Sequence, residues 1–365
     1  MSRRLVRGLR KLLPIDGALP EGRSLPPGVV VLVPTLRCNL SCLYCFQRDE
    51  SGPAWRPHQE GSLSLAEWQA VINEIKPLGL HVIVMGGELF LYPEALELLR
   101  SVKAADLPLT IITNGIALPR VAAELVDMGL NRLIVSIDGP PEVHNVIRGH
   151  PRGYELATEG IRRVVAERGI CPSPFVQVSC AISAYTQAHL KAFVEAVGPL
   201  GVDRIVFNNL IYATAGQVDT QSEVLHASFN AQWYGKALNN RAQLGVNPAL
   251  IRREMSAIRA GPWADRVVVA PPGVEQYLEA YYVPHAPPFS DQFCTAIYRE
   301  LWVLPNGDVG ACVHIPELSM GNVREDGVMA AWNSLHYRRF RQHLAQGLLP
   351  ACVRCEKLNY NHPPC

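Results

Sequence analysis

The chain has 365 residues, 48% of them hydrophobic, with 34 lysines and arginines against 33 aspartates and glutamates for a net charge of +1. That length admits two or three units with substantial cores, and the even balance supplies none of the overall field that nucleic-acid binding draws on. No apolar run reaches the ~20 residues of a membrane-spanning helix.

The opening MSRRLVRGLRKLL is locally basic, with the spacing of a short amphipathic helix. It lacks the apolar centre and small-residue cleavage site of a secretory signal, so residues 1–27 read as a solvated N-terminal extension of a cytoplasmic protein. From residue 28 to residue 210, β-branched apolar runs alternate with helix-periodic segments, and strands are predicted at 28–34, 82–85, 109–113, 133–137, 175–182 and 204–207. SLAEWQAVINEIKPL, PEALELLRSVKAAD and TQAHLKAFVEAVGPL lie between them as helices, the first opening on a capping box of Ser64 and Glu67. Near-continuous apolar strands separated by helices imply a parallel sheet covered by helices. Six such units predict an α/β fold, a partial (β/α)6 TIM-like barrel.

The rhythm breaks over 211–293, where APPGVEQ and VPHAPPFSD surround helices expected near 222–245 and 248–260. This stretch reads as a segment bridging the barrel mouth. Residues 294–365 form a small C-terminal domain of β-hairpin plus helix. RELWVLPNGDVGACV is two apolar runs joined through Pro-Asn-Gly-Asp, a hairpin signal. A helix is expected over 328–346 and loop over the last fourteen residues.

Eight of the ten cysteines cluster: Cys38, Cys42 and Cys45 early, Cys294, Cys312, Cys352, Cys355 and Cys365 late. Cytoplasmic thiols stay reduced, so clustered ones point to metal. Cys171 and Cys180 stand apart and read as small buried hydrophobes. In a βα fold the functional groups gather at the carboxyl ends of the strands. Cys38-x3-Cys42-x2-Cys45 follows strand one, Gly86-Gly87-Glu88 strand two and Thr113-Asn114-Gly115 strand three. Ser136 and Asp138 close strand four, Ser179 and Cys180 lie late in strand five, and Asn208 and Asn209 end strand six. Six polar signatures in register predict one deep pocket.

Thiolates favour iron–sulfur clusters and zinc. A cubane cluster takes one cysteine per iron, so three cysteines leave one iron open, as catalysis at a metal requires. A zinc site completed by a distant histidine is the competing reading. Late in the chain, Cys294-x17-Cys312 and Cys352-x2-Cys355 are two separated pairs that a small hairpin can close into a four-thiolate site. A zinc ribbon fits that spacing too.

The early motif, with Tyr44 just before its last cysteine, resembles the signature of the radical S-adenosylmethionine enzymes. Gly86-Gly87-Glu88 resembles that family's GGE motif, with Leu89 where proline is common. SIDGPPEVHNVIR (136–148) resembles the strand-four stretch of the subfamily with C-terminal cluster domains. The resemblance implies a [4Fe–4S] cluster on Cys38, Cys42 and Cys45, whose open iron is chelated by S-adenosylmethionine. It further implies Tyr44, Gly86, Gly87, Glu88, Thr113, Asn114, Ser136, Asp138, Arg148 and Ser179 around that cofactor. Glu88 would meet the ammonium, Ser136 and Asp138 the carboxylate and ribose region, and Arg148 a carboxylate. C-x12-G-x4-C, then Gly321-Asn322-Val323, Trp332-Asn333-Ser334 and C-x2-C, resembles the Twitch and SPASM auxiliary-cluster domains. Five cysteines where the full SPASM pattern has seven imply one auxiliary [4Fe–4S] cluster on Cys294, Cys312, Cys352 and Cys355, with Cys365 a free terminal thiol.

The implied reaction begins with reductive cleavage of S-adenosylmethionine, fed by an external donor such as flavodoxin or ferredoxin. The 5′-deoxyadenosyl radical so formed abstracts hydrogen from an unactivated carbon. The auxiliary cluster transfers electrons, or Cys180 donates hydrogen to a substrate radical and epimerises it. The short stretch before strand one leaves no room for a leader-peptide domain, which favours a small biosynthetic intermediate as substrate. Maturation of a ribosomally made peptide and a non-catalytic zinc or electron-transfer protein are the alternatives.

Overall fold

The computed structural model describes residues 18–45, 47, 60–233, 245–271, 273–282, 293–355 and 357–358. The basic opening segment and Cys365 lie outside them. The first strand, β1, is Val29–Leu32; α1 (Leu65–Ile75) leads to β2 (His81–Val84), and α2 (Ala95–Ala104) to β3 (Leu109–Thr113). Next come α3 (Leu118–Asp127), β4 (Arg132–Ser136), α4 (Pro141–Arg148), α5 (Gly153–Arg168), β5 (Phe175–Ile182), α6 (Leu190–Val197) and β6 (Arg204–Asn209). These strands pair in parallel in chain order. The Ser64 hydroxyl accepts the Glu67 N–H while the Glu67 carboxylate takes the Ser64 N–H, so α1 starts on the expected capping box.

The 211–293 stretch does more than bridge. After α7 (Ala215–Phe229) and α8 (Pro248–Arg259) it supplies β7 (Val267–Ala270), a seventh parallel strand on the β6 edge, and then α9 (Leu278–Tyr282). The signal was present in the sequence as the β-branched run VVVA. On the opposite edge, β8 (Glu300–Val303) pairs in parallel with β1, from Val29 beside Glu300 to Leu32 beside Val303. A turn leads to β9 (Asp308–Gly310), antiparallel to β8, and β10 (Ser319–Asn322) follows, antiparallel to β9. The expected hairpin is therefore the continuation of the barrel sheet. Among the described residues its ten strands run β10-β9-β8-β1-β2-β3-β4-β5-β6-β7, with the two edges unjoined, so the barrel is partial.

Strand alternation divides the side chains. Val30, Leu32, Val82, Val84, Ile111, Val135, Val178 and Phe207 join the main core beneath the helices. Val31, Val33 and Trp302 turn to the other face and form a smaller apolar cluster with Leu304 and Val313. The helix expected over 328–346 is two, α10 (Val328–Trp332) and α11 (Leu335–Gln346), because Ser334 caps the second by accepting the Tyr337 N–H at 3.1 Å. Residues 18–27 are strapped across this region. The Trp332 indole donates to the Leu25 carbonyl at 2.8 Å, and Asn333 exchanges two hydrogen bonds with Ser24.

Candidate active site and cysteine-lined cavity

Beyond β1 the backbone of Thr35–Arg37 lies against Gly86 and Gly87. Gly87 N–H donates to the Thr35 carbonyl at 3.0 Å and Glu88 N–H to the Arg37 carbonyl at 2.8 Å. A Cβ on Gly86 would stand 2.2 Å from the Thr35 oxygen, and one on Gly87 2.4 Å and 2.5 Å from the Leu36 and Arg37 oxygens. Both glycines thus make room for the run into the cysteine loop. Gly87→Ala should push that run away and lower iron incorporation at the early cysteines. Iron counting on the folded variant checks this, and undiminished iron would contradict it.

Glu88 is buried at 2% exposure and fully engaged. Its carboxylate accepts the Thr113 hydroxyl at 2.8 Å, the Asn114 N–H at 2.8 Å and the Phe90 N–H at 3.3 Å. Burial nevertheless raises its pKa, with the Asn114 and Thr113 hydrogen bonds pulling the other way. The Asn114 amide donates to Asn39 Oδ1 at 2.8 Å, tying strand three to the cysteine loop. Cys38 is exposed, Cys42 and Cys45 half-buried. Burial pushes the Cys38 thiol up and the Cys45 thiol to about 11, so ligation as thiolates requires that metal displace their protons.

Beneath this loop lies a buried ion pair. Arg148 Nη2 stands 2.5 Å from Asp138 Oδ2, and its Nη1 reaches Cys42 Sγ at 3.8 Å. Asp138 Oδ1 accepts the Ala181 N–H at 2.8 Å. Desolvation pulls the Arg148 pKa down, but the charges of Asp138, Cys42 and Tyr44 more than offset it and the net shift is upward. Asp138 and Arg148, expected beside the cofactor, thus face each other. Tyr44 turns its hydroxyl into the same buried spot; burial first, then the Asp138 charge, hold its pKa well above the usual range. His144 completes the group. Its Nδ1 accepts the Asp138 N–H at 3.0 Å, and burial, followed by the Arg148 charge, lowers its pKa to about 4, so the ring is neutral. His144 has no role in the sequence reading, although it lies within the 136–148 stretch, between Val143 and Asn145 on α4.

Ser136 and Ser179 are register neighbours on β4 and β5, half-buried on the face turned away from the main core. Ser179 accepts the Gln177 side-chain amide at 3.1 Å. Asn208 shares that face by alternation on β6, whereas Asn209 is fully buried on the other and its amide donates to the Ala270 carbonyl at 2.9 Å. Cys180 also points the other way. It is fully buried in the main core with Val176, Val178 and Ile182, and burial raises its thiol well above the ordinary value. That placement runs against hydrogen donation from Cys180, because strand alternation turns it from the face carrying Ser179. Cys171, read as a buried hydrophobe, is exposed in the turn after α5.

Among the described residues no three His, Cys, Asp or Glu side chains converge on a single-ion site. Cys294, Cys312, Cys352 and Cys355 instead line one cavity, walled by apolar groups such as Ile297, Phe340 and Leu344. Two anchors hold its rim. An isolated bridge pairs Cys294 with Leu358, and Arg354, buried between the last two cysteines, donates through Nε to the Tyr281 carbonyl at 2.8 Å. Gly307 makes the hairpin turn at φ +87°, and the Val323 N–H donates to its carbonyl at 2.8 Å, which explains why Gly307 and Gly321-Asn322-Val323 occur together. The donor set fits an iron–sulfur cluster: four thiols, apolar walls and backbone N–H groups on sulfur, from His314 to Cys312 and from Lys357 to Cys355, each at 3.4 Å.

Family models match in two places, the radical SAM superfamily over residues 32–177 and an iron–sulfur cluster-binding domain, SPASM, over residues 294–356. The chain is 25% identical over 338 residues to an AdoMet-dependent heme synthase of Methanosarcina barkeri, covering 90% of this chain and 88% of that one. It is likewise 25% identical over 328 residues to a Pyrococcus furiosus protein that modifies the cofactor of tungsten-containing aldehyde ferredoxin oxidoreductase, covering 88% and 85%. In fold it is similar to Streptococcus suis SuiB bound to the precursor peptide SuiA, with a TM-score of 0.62 at 14% identity over 91% of this chain and 68% of that chain. No helix among the described residues is long and apolar enough to cross a membrane. With the cysteine motifs and both domain matches in place, the chain belongs to the radical S-adenosylmethionine superfamily, an enzyme that uses a [4Fe–4S] cluster with S-adenosylmethionine and carries a C-terminal SPASM domain for auxiliary iron–sulfur binding.

Proposed function

We propose that this enzyme removes hydrogen from an unactivated carbon of a small biosynthetic intermediate and passes a further electron to one auxiliary [4Fe–4S] cluster. When bound, the first cluster and S-adenosylmethionine supply the 5′-deoxyadenosyl radical that takes the hydrogen, after an external donor of the flavodoxin or ferredoxin kind provides an electron. Cys38, Cys42 and Cys45 hold the first cluster. Gly86 and Gly87 admit the run leading into their loop, and Glu88, Thr113 and Asn114 brace it. Asp138 aims Arg148 at the thiol of Cys42, Tyr44 closes the same buried spot against water, and Ser136 and Ser179 present hydroxyls to the cofactor side of the sheet. Cys180 packs the core.

One observation carries the electron-transfer reading. Strand β8 pairs in parallel with β1 residue for residue, so β1, which leads into the early cysteine loop, and β8, which follows Cys294 and leads through β9 to Cys312, are adjacent strands of one sheet. Such a frame fixes two metal sites relative to each other, and four cysteines leave no open iron for a substrate. The small-molecule class is supported by relatives alignable over most of both chains, one named for heme synthesis and one for modifying a cofactor.

Cys352→Ala separates the two halves of the reaction. The variant should still form 5′-deoxyadenosine, at least in part, while product formation stops. Equal loss of both in a folded protein would contradict the division of labour. Deuterium-labelled candidates identify the substrate by transfer of label into 5′-deoxyadenosine. Label arriving from a precursor peptide, the class of molecule SuiB holds, would reassign the substrate.

A further inference from the structure

Among the described residues lining the four-cysteine cavity, Lys357 is the one lysine, arginine, aspartate or glutamate. Its ammonium forms an ion pair with Glu300 of β8 and lies 5.3 Å from the centre of the Trp302 ring. The Lys357 side chain is 22% exposed and that of Glu300 6%. Trp302 in turn belongs to the small apolar cluster on the inner face of the sheet, with Val31 of β1. Lys357 thus lines the cavity and, through its ammonium near Trp302, also reaches the inner face of the sheet, with Glu300 as its counter-charge.

We propose that Lys357 sets the reduction potential of the auxiliary cluster, favouring its reduced form, with Glu300 fixing the ammonium over Trp302 and moderating its field. The inference rests on the reading that Cys294, Cys312, Cys352 and Cys355 hold one cluster. Reduction adds a negative charge to an apolar cavity, where a nearby cation is screened little, and net charge and burial are the levers that tune such a site. A higher potential makes the cluster a better electron acceptor, the role assigned to it above. Lys357 is a positioning residue in this sense, acting on the cluster without touching substrate.

The test is a redox titration followed by electron paramagnetic resonance in the full chain carrying Cys42→Ala, so that the auxiliary cluster alone is observed. Lys357→Met keeps an unbranched stem over the indole and removes the charge. It should disfavour reduction at least tenfold, a shift of about 59 mV to more negative potential for one electron. Glu300→Gln should move the potential the opposite way, and Lys357→Arg should hold it. Opposite signs from the two neutralised partners are a signature that loosened packing does not give. An unmoved potential in Lys357→Met, or shifts of the same sign in both, overturns the inference alone. A Cys42→Ala protein with no iron–sulfur signal overturns the auxiliary-cluster reading and the inference with it.

Discussion

Cys42→Ala should abolish 5′-deoxyadenosine formation and lower iron by about four atoms per chain, one cubane, while the auxiliary signal persists. The expected loss is complete because the early site has no ligand to spare: three thiols leave one iron open by design, and two would leave two. Cys42 is also the thiol that Arg148 approaches, with Nη1 at 3.8 Å. Its flanking partners need the metal in order to ionise, since burial pushes Cys38 upward and Cys45 to about 11. Losing one ligand therefore also weakens the drive to deprotonate the other two. Anaerobic iron and sulfide counting beside a cleavage assay measures both effects, and Cys42→Ser repeats the test with nearly unchanged volume. A variant that keeps all its iron and still cleaves S-adenosylmethionine would remove this loop from the chemistry.

The parts of this architecture that depend on local pattern were legible in the sequence. β3 and β5 fall on the predicted residues, Leu109–Thr113 and Phe175–Ile182, because β-branched runs bounded by turns allow little else. The capping box at Ser64 and the Gly307 turn followed from residue chemistry in the same way. Long-range pairing was not legible. Glu300–Val303 reads as one arm of a hairpin, and it is one, yet its other edge lies parallel to β1, with Glu300 beside Val29, 271 positions away in the chain. No periodicity encodes that partner. Side-chain direction was lost for a related reason. Asp138 and Arg148 stand ten positions apart in a motif that suggests ligand contact, and only the turn from β4 into α4 decides that they meet each other. Cys180 reads from the sequence as a small buried hydrophobe or as a hydrogen donor, and one step of strand alternation favours the first, since Ser179 beside it faces the other side of the sheet.

Neutralising Asp138 should cost more stability than any other single change at the cysteine loop. Asp138→Asn keeps the shape and can still accept the Ala181 N–H, but it leaves the Arg148 guanidinium without its carboxylate. Breaking one partner out of a buried ion pair costs about 3–5 kcal/mol, and both side chains are well covered, at 14% and 1% exposure. The reverse change, Arg148→Met, strands the carboxylate beside the Tyr44 hydroxyl, which adds no positive charge to compensate. Removing both charges together leaves neither orphan, so Asp138→Asn with Arg148→Met should recover most of the loss, and urea midpoints of the four proteins measure the coupling. Additive losses would mean that the pair does not act as a unit. The double variant also separates stability from function: it should be folded yet impaired in cleavage, because no guanidinium then approaches Cys42 from below the loop.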